Sequence, residues 1–346
     1  MKIFKTTVLT LAILAGSLTY AQDEVAEESA VEATEEKPSF SVSGSIDTYY
    51  RSNDYAPYTS FANLPGFALG MANIVLSYEG EKSGFVADLV YGPRGADAVF
   101  NSAGSSNIVN QLYAYYNVND KLTLTLGNFN TFLGYEVISP VANFNYSTSY
   151  MFSYGPFSHT GIKADYAVSD NVSIMVAVMN ATDETEADYS DASTFGAQLG
   201  LYGQYINFLS GDDYTQFDFT GGFNISEKLF LGINATTTEL AADASFSGVA
   251  LYPQYTLSDS FSLGIRGEIF SETNGGAGAL YSGALSGSSE DADNTSFTIT
   301  GSYTKGNFIL KPEFRIDTAS ANIYSKNATD FSDNLASFVV AAIYAF

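Results

Sequence analysis

The chain has 346 residues, of which 46% are hydrophobic and 15% are Phe or Tyr, yet its mean hydropathy is only +0.02. A chain this apolar without a long apolar run after residue 21 must alternate apolar and polar residues, which is typical of strands with one wet and one apolar face. The net charge of −24 argues against a nucleic-acid partner, and the absence of cysteine excludes disulfides, thiolate metal sites and a lipidated N-terminal cysteine.

The N-terminus has the pattern of an export signal. Lys2 and Lys5 precede a short apolar run over 8–18, and the small residue Ala21 ends the segment. This predicts a signal peptide over 1–21, because the apolar stretch is too short for a transmembrane anchor. Residues 22–38 are rich in Glu and Ala and lack periodicity, so we expect an acidic, disordered periplasmic segment there.

Residues 39–346 break into about sixteen strand-like runs, each close to the ~10 residues that cross an outer membrane. Runs 194–204 and 205–210 are not separated by a strong turn signal, so fourteen strands is the alternative. Short turns alternate with long polar loops, as in barrels with short periplasmic and long extracellular connections. Because an open sheet edge in lipid leaves backbone groups unpaired, the sequence predicts an all-β, transmembrane, antiparallel up-and-down β-barrel. A water-soluble β-sandwich is the less favoured alternative.

The alternation assigns a face to each strand residue. In the first strand the apolar face carries Phe40, Val42, Ile46 and Tyr50. Twelve charged residues fall on the opposite face of their strands, and lipid explains that bias because a charge at the bilayer centre costs about 2–4 kcal/mol. They are Asp47, Glu79, Asp88, Lys163, Asp165, Asp218, Arg266, Glu268, Lys311, Glu313, Arg315 and Asp317.

The last run ends in an aromatic residue, with Phe338, Val340, Tyr344 and Phe346 on one face. This resembles the C-terminal signature by which barrel proteins are handed to the outer-membrane assembly machinery. The expected partners are therefore that machinery, outer-membrane lipid and lipopolysaccharide, in the outer membrane of a Gram-negative cell.

Three stretches carry a family resemblance. They are Phe85–Gly95 (FVADLVYGPRG), Leu126–Glu136 (LGNFNTFLGYE), and Asn143–Tyr150 (NFNYSTSY) followed by His159-Thr160-Gly161. Together they resemble the OmpL-like β-barrel porin family of Gram-negative outer membranes, over most of residues 40–346. The resemblance implies a channel for passive diffusion of small polar solutes or ions, and it offers no catalytic residues to carry over. A homotrimer is compatible with a porin of this size, by analogy alone.

Inward charges are the candidate pore-lining residues. Arg266, Lys311 and Arg315 form a basic stripe if strand order follows sequence, and barrel closure brings Arg51 beside it. We favour pore lining over the alternative, a wall network of ion pairs, because charged rings confer selectivity. The candidate set is Asp47, Arg51, Lys163, Asp165, Arg266, Glu268, Lys311, Glu313 and Arg315.

The longest connection, 131–158, is too rich in Phe and Tyr for a fully solvated loop. We expect it to fold inward and narrow the channel, with Tyr135, Glu136, Asn143 and Asn145 as constriction residues. The alternative is an outward loop packed on its neighbours. Because the residues from 38 onward carry a net charge of −20, we also expect weak cation preference.

Other chemistry has little support in the sequence. His159 is the single histidine, and a lone histidine at a loop–strand junction needs no catalytic explanation. Acidic loop patches at 183–191, 212–213 and 290–293 lack the spacing of a calcium loop, so a solvated acidic surface is favoured over calcium binding. We therefore expect no enzyme, no metal and no cofactor. A surface barrel for adhesion or structural support is the main alternative function, and a barrel enzyme is a weaker one.

Overall fold

The structure is a computed structural model that describes residues 38–53, 55, 60–102, 104–185, 193–212, 214–274, 291–326 and 330–346. The predicted signal peptide, the acidic segment up to residue 37 and most of the acidic patch 183–191 lie outside the described residues. Their expected roles stay predictions.

The described residues form a closed antiparallel barrel of sixteen strands. The strands are β1 (Ser39–Arg51), β2 (Gly66–Glu79), β3 (Ser83–Tyr91), β4 (Val109–Asn119), β5 (Leu122–Asn130), β6 (Ser158–Ser169), β7 (Val172–Met179), β8 (Thr194–Leu201), β9 (Gln204–Ser210), β10 (Tyr214–Asn224), β11 (Leu229–Leu240), β12 (Ser245–Ser258), β13 (Phe261–Thr273), β14 (Ala292–Lys305), β15 (Phe308–Ala319) and β18 (Asn334–Ala345). Two-residue strands β16 (Tyr324–Ser325) and β17 (Phe331–Ser332) pair with each other before β18.

Each barrel strand pairs with its neighbours in the chain, and β1 pairs with β18 to close the ring. Closure pairs the backbone groups of both terminal strands and leaves no open edge, as a barrel in lipid requires. The predicted up-and-down β-barrel is therefore confirmed. The described residues also include two short helices, α1 (Pro93–Ala98) and α2 (Tyr150–Tyr154), and 3-10 turns at Gly104–Ile108 and Ala241–Asp243. None of the described helices is long and apolar enough to span a membrane.

The connection between β8 and β9 decides the strand count. Leu201 pairs with Gln204, so only Tyr202 and Gly203 form the turn, with φ angles of 53° and 79°. Two residues with positive φ are the geometry of a type I′ turn, which matches the twist of the flanking strands. Sixteen strands is correct, and the alternative of fourteen is wrong. The sequence signal was weak because Tyr is an unusual residue at the first turn position.

The two faces of the sheet differ in chemistry as predicted. Phe40, Val42 and Ile46 point outward and are 52–60% exposed, whereas Asp47 and Arg51 on the other face are buried. The exposed outer face is therefore apolar and the inner face polar, the reverse of a water-soluble barrel. Such a surface suits a hydrocarbon environment outside and water or protein inside.

The barrel lumen as candidate functional site

The connection from β5 to β6, residues 131–157, lies inside the barrel; we call it the inserted loop. The Tyr146 hydroxyl is 2.5 Å from Asp47 Oδ2 on β1, and the Gly134 amide donates to Asp218 Oδ1 on β10 at 3.0 Å. β1 and β10 are far apart around the ring, and both carboxylates are on the inner face. A segment that reaches both must cross the lumen.

Two wall glutamates each accept hydrogen bonds from consecutive backbone amides of the inserted loop. Glu313 accepts from Tyr146 and Ser147 at 2.7 and 3.0 Å. Glu268 accepts from Tyr150 and Met151 at 3.0 and 2.8 Å. The second pair opens α2, whose first amides have no partner within the helix. Both carboxylates are thus committed to holding the loop.

The wall cations bind the loop through its carbonyl groups and one carboxylate. Arg266 Nη1 lies 2.7 Å from Glu136 Oε1 and donates to the Ser147 carbonyl at 2.5 Å. Arg315 Nη1 donates to the Thr148 carbonyl at 2.7 Å. Lys311 Nζ donates to the Pro140 carbonyl at 2.9 Å. In this structure the predicted basic stripe forms a buried network that includes ion pairs.

Arg51 and Asp47 complete this side of the lumen. Arg51 donates to the Tyr55 carbonyl at 2.5 Å, and Asp47 accepts from the Met71 amide at 2.9 Å. Seven of the nine candidate pore-lining residues are at most 4% exposed. These seven are Asp47, Arg51, Arg266, Glu268, Lys311, Glu313 and Arg315.

The remaining two candidates differ from these seven. Lys163 and Asp165, both on β6, form an ion pair of 2.7 Å, and their side chains are 24% and 42% exposed. They share the inner face with the buried neighbours Thr125 and Ala177, to which Lys163 is paired across the strands. Their contacts are with the wall rather than with the loop's backbone.

Wall glycines provide space for side chains of the inserted loop. A methyl group built on each would lie 2.3–2.6 Å from a loop side-chain atom, closer than carbon atoms can approach. The pairs are Gly196 with Phe132, Gly232 with Tyr135, Gly248 with Met151 and Gly264 with Phe144. The wall and the loop are therefore complementary in shape as well as in hydrogen bonding.

The structure places each of the four predicted constriction residues in contact with its surroundings. Tyr135 stacks on Tyr252 with ring centroids 4.3 Å apart, and Glu136 forms the ion pair with Arg266. Asn145 donates to Thr300 on β14 at 2.7 Å. Asn143 instead braces the loop internally, since its Oδ1 accepts from the Val137 amide at 2.9 Å.

Among the anchors of the loop that were not predicted as site residues, two lie outside the strands. Arg94 in α1 donates to the Ile138 and Tyr146 carbonyls at 2.8 and 3.1 Å. Asp183, in the connection after β7, accepts from the Phe157 and Ser158 amides at 2.6 and 3.0 Å. Burial raises the pKa of Asp183 to about 7. Both lie between strands, where alternation does not tell which residues point inward.

His159 lies where the inserted loop joins β6. It is fully buried at the start of β6, where its Nε2 lies 2.9 Å from Thr131 Oγ1 and its ring packs against Phe132. In the described part of the chain, no group of three or more His, Asp or Glu side chains is placed to hold a metal ion. His159 belongs to the packing that seats the base of the loop.

Comparison with known proteins assigns the family. A family model described as "Putative beta-barrel porin-2, OmpL-like" matches residues 39–346. The chain belongs to this family. The match covers the whole barrel, from the first residue of β1 to the C-terminus, and confirms the resemblance seen in the sequence. No curated protein matches the sequence.

Solved structures of similar fold are outer-membrane proteins and porins at low identity. In vitro folded OmpT of Vibrio cholerae, in its trimer form, is 11% identical with a TM-score of 0.57, and the match covers 90% of this chain and 100% of that one. An anion-selective porin from Comamonas acidovorans is 9% identical with a TM-score of 0.53, with the same coverages. At such identities these similarities establish the barrel fold alone.

Proposed function

We propose that this protein is an outer-membrane porin through which small polar solutes or ions diffuse passively. The observation that carries the proposal is a closed barrel with an apolar outer face and a polar lumen that holds an inserted loop. A closed barrel of this kind can span lipid, and a polar lumen offers a route for hydrated solutes. Membership of the porin family points to the same function.

In this proposal the inserted loop narrows the channel. Successive loop amides donate hydrogen bonds to Glu268 and Glu313, which supports a loop fixed against the wall. A loop fixed to one side of a lumen limits the size of the solutes that pass, and nearby charges bias which ions enter. Diffusion requires no cofactor and no catalytic residue.

The setting follows from the same proposal. The protein would reside in the outer membrane of a Gram-negative cell, in contact with lipid and lipopolysaccharide, after delivery by the barrel assembly machinery. A homotrimer fits this setting, and the structurally similar OmpT has a trimer form.

Planar bilayer recording tests the channel. Purified protein should produce discrete conductance steps in potassium chloride. Gly264→Ala should change the size of the steps and make them noisier, because the added methyl group would overlap Phe144 and force that ring of the inserted loop off the wall. Gly267→Ala, on the same strand, is the matched control, since nothing lies within 4 Å of its added methyl group.

The outcomes separate the functional candidates. Folded barrels without conductance steps would overturn the porin proposal in favour of a surface barrel for adhesion or support. Steps that are identical in Gly264→Ala and Gly267→Ala would overturn the constriction by the inserted loop while leaving the channel intact.

A further inference from the structure

The nine candidate pore-lining charges fall into two kinds, seven that are buried and two that are partly exposed. The seven buried candidates, among them Arg266 and Arg315, have committed hydrogen bonds to the loop or to neighbouring wall groups and at most 4% exposure. Arg266 and Arg315 are each paired with a carboxylate, Glu136 and Asp317, whose opposite charge offsets their field in the solution. The basic side of the lumen therefore holds the loop in place.

Lys163 and Asp165 are the candidate charges that reach water. Both point to the inner face of β6, because the alternate residues Ile162 and Tyr166 are exposed apolar side chains on the outer face. The ion pair at 2.7 Å leaves 42% of the Asp165 side chain exposed. A partly solvated pair of this kind presents both signs to the lumen.

The wall around this pair is polar and half-exposed. Asn117 on β4, Thr123 on β5 and Asp165 on β6 form a row at one level of the sheet, as the strand pairing shows. The Thr123 hydroxyl donates to the Asn117 side chain at 2.8 Å, and all three residues are half-exposed. Such a row can replace part of the hydration shell of a passing ion or sugar-sized solute.

We propose that the permeation path runs along the inner wall of β4–β7 and that Lys163 and Asp165 set its charge preference. This inference rests on the porin function proposed above. It assigns selectivity to β6 and anchoring to the basic residues of β13 and β15.

The expected sign follows from the geometry of the pair. The Lys163 ammonium is held by Asp165 and lies 5.6 Å from the centre of the Phe129 ring, which favours the cation in that position. Asp165 is the more exposed partner. The native channel should therefore prefer cations weakly at low salt, and the preference should fade at 1 M salt, where the Debye length is about 3 Å.

Reversal potentials in a potassium chloride gradient test the assignment. Lys163→Gln should raise the potassium-to-chloride permeability ratio at least roughly twofold, and Asp165→Asn should lower it to about one or below, because a pore focuses the field of its wall charges. Lys305→Gln removes the same charge from an exposed position next to the β14–β15 turn and should leave the ratio unchanged. Lys311→Gln removes a buried cation that binds the loop and should alter step size more than the ratio.

The results distinguish this inference from the function on which it rests. If the channel conducts but its potassium-to-chloride permeability ratio is the same in the native protein, Lys163→Gln and Asp165→Asn, the inference is overturned and the porin function stands. A ratio that shifts in Lys311→Gln but not in Lys163→Gln would return selectivity to the basic stripe. Folded barrels that never conduct would overturn the proposed function itself.

Discussion

At the scale of single residues, two ion pairs have the same nitrogen–oxygen distance of 2.7 Å but differ in burial. Arg266–Glu136 is almost fully buried, whereas Lys163–Asp165 is partly exposed. Removing one partner of a buried pair leaves a charge without compensation in a medium that solvates it poorly. An exposed pair loses little, because water takes the place of the partner.

Glu136→Gln should therefore destabilise the folded protein by about 3 kcal/mol, since Arg266 keeps its charge and loses its carboxylate. Asp165→Asn is the matched control and should cost about 1 kcal/mol or less. The measurement is the urea midpoint of unfolding in lipid vesicles, followed by the gel-mobility shift between folded and unfolded barrel. Equal midpoints for the two variants would contradict the anchoring role of the buried pair.

The alternation of apolar and polar residues was sufficient to assign the wall charges to one face of the sheet, but not to identify their hydrogen-bond partners. It assigned Arg266, Glu313 and Lys311 correctly to the inner face, because lipid tolerates apolar residues alone on the other face. The Glu313–Tyr146 hydrogen bond joins positions 167 residues apart in the chain. No local sequence pattern indicates a contact across so many residues. The sequence alone therefore could not decide whether the basic stripe lines the pore or forms a network of ion pairs in the wall.

At the scale of elements, the inserted loop is held at its end by a carboxyl group that titrates. Asp183 lies in the connection after β7, outside the membrane-spanning strands, and its Oδ1 accepts both the Phe157 and Ser158 amides. Its pKa is raised from near 3.8 to about 7 by burial. Between about pH 4 and pH 7 the Asp183 carboxyl stays protonated in the folded protein, whereas in the unfolded chain it has released its proton. The contribution of Asp183 to the free energy of unfolding therefore falls as pH rises from about 4 to 7.

The amides of Phe157 and Ser158 should thus exchange hydrogen faster at pH 8 than at pH 5, after correction for intrinsic rates. Asp183→Asn is neutral at every pH and tolerates the positive φ of 65° at this position. In that variant the extra acceleration should disappear. Acceleration of the same size in both proteins would assign the effect to another group.

The agreement between predicted and observed strands, turns and loops differs along the chain. The period-two pattern predicts strands over 40–51, 171–181 and 307–317, and β1, β7 and β15 lie within about two residues of these bounds. The β8–β9 turn was misplaced by two residues, since Tyr202 gives no turn signal. The inward fold of 131–158 was expected from its aromatic content, whereas the wall glycines that seat Phe132 and Phe144 are indistinguishable in sequence from turn glycines.

At the scale of the whole molecule, the last residue helps to close the ring. Phe346 donates its amide to the Gly44 carbonyl and accepts from the Gly44 amide, both at 3.0 Å, so the backbone pairing of β18 with β1 extends to the C-terminus. Its side chain is 53% exposed on the outer face, with Phe338 and Tyr344. Deleting Phe346 would remove two hydrogen bonds and an aromatic ring together, which cannot separate closure from recognition.

A substitution separates them. Phe346→Asp keeps both backbone hydrogen bonds and changes only the exposed side chain, so the finished barrel should be nearly as stable; charges near the membrane interface cost about 0–1 kcal/mol. We nevertheless expect severalfold less assembled barrel in cells, because the aromatic end is the feature that assembly machinery would recognise. Phe308→Asp is the matched control: Phe308 faces outward on β15 and pairs with Tyr344 at the same rim. Heat-modifiable protein in outer-membrane fractions measures assembly, and equal amounts of the two variants would show that the terminal aromatic serves packing against lipid rather than recognition.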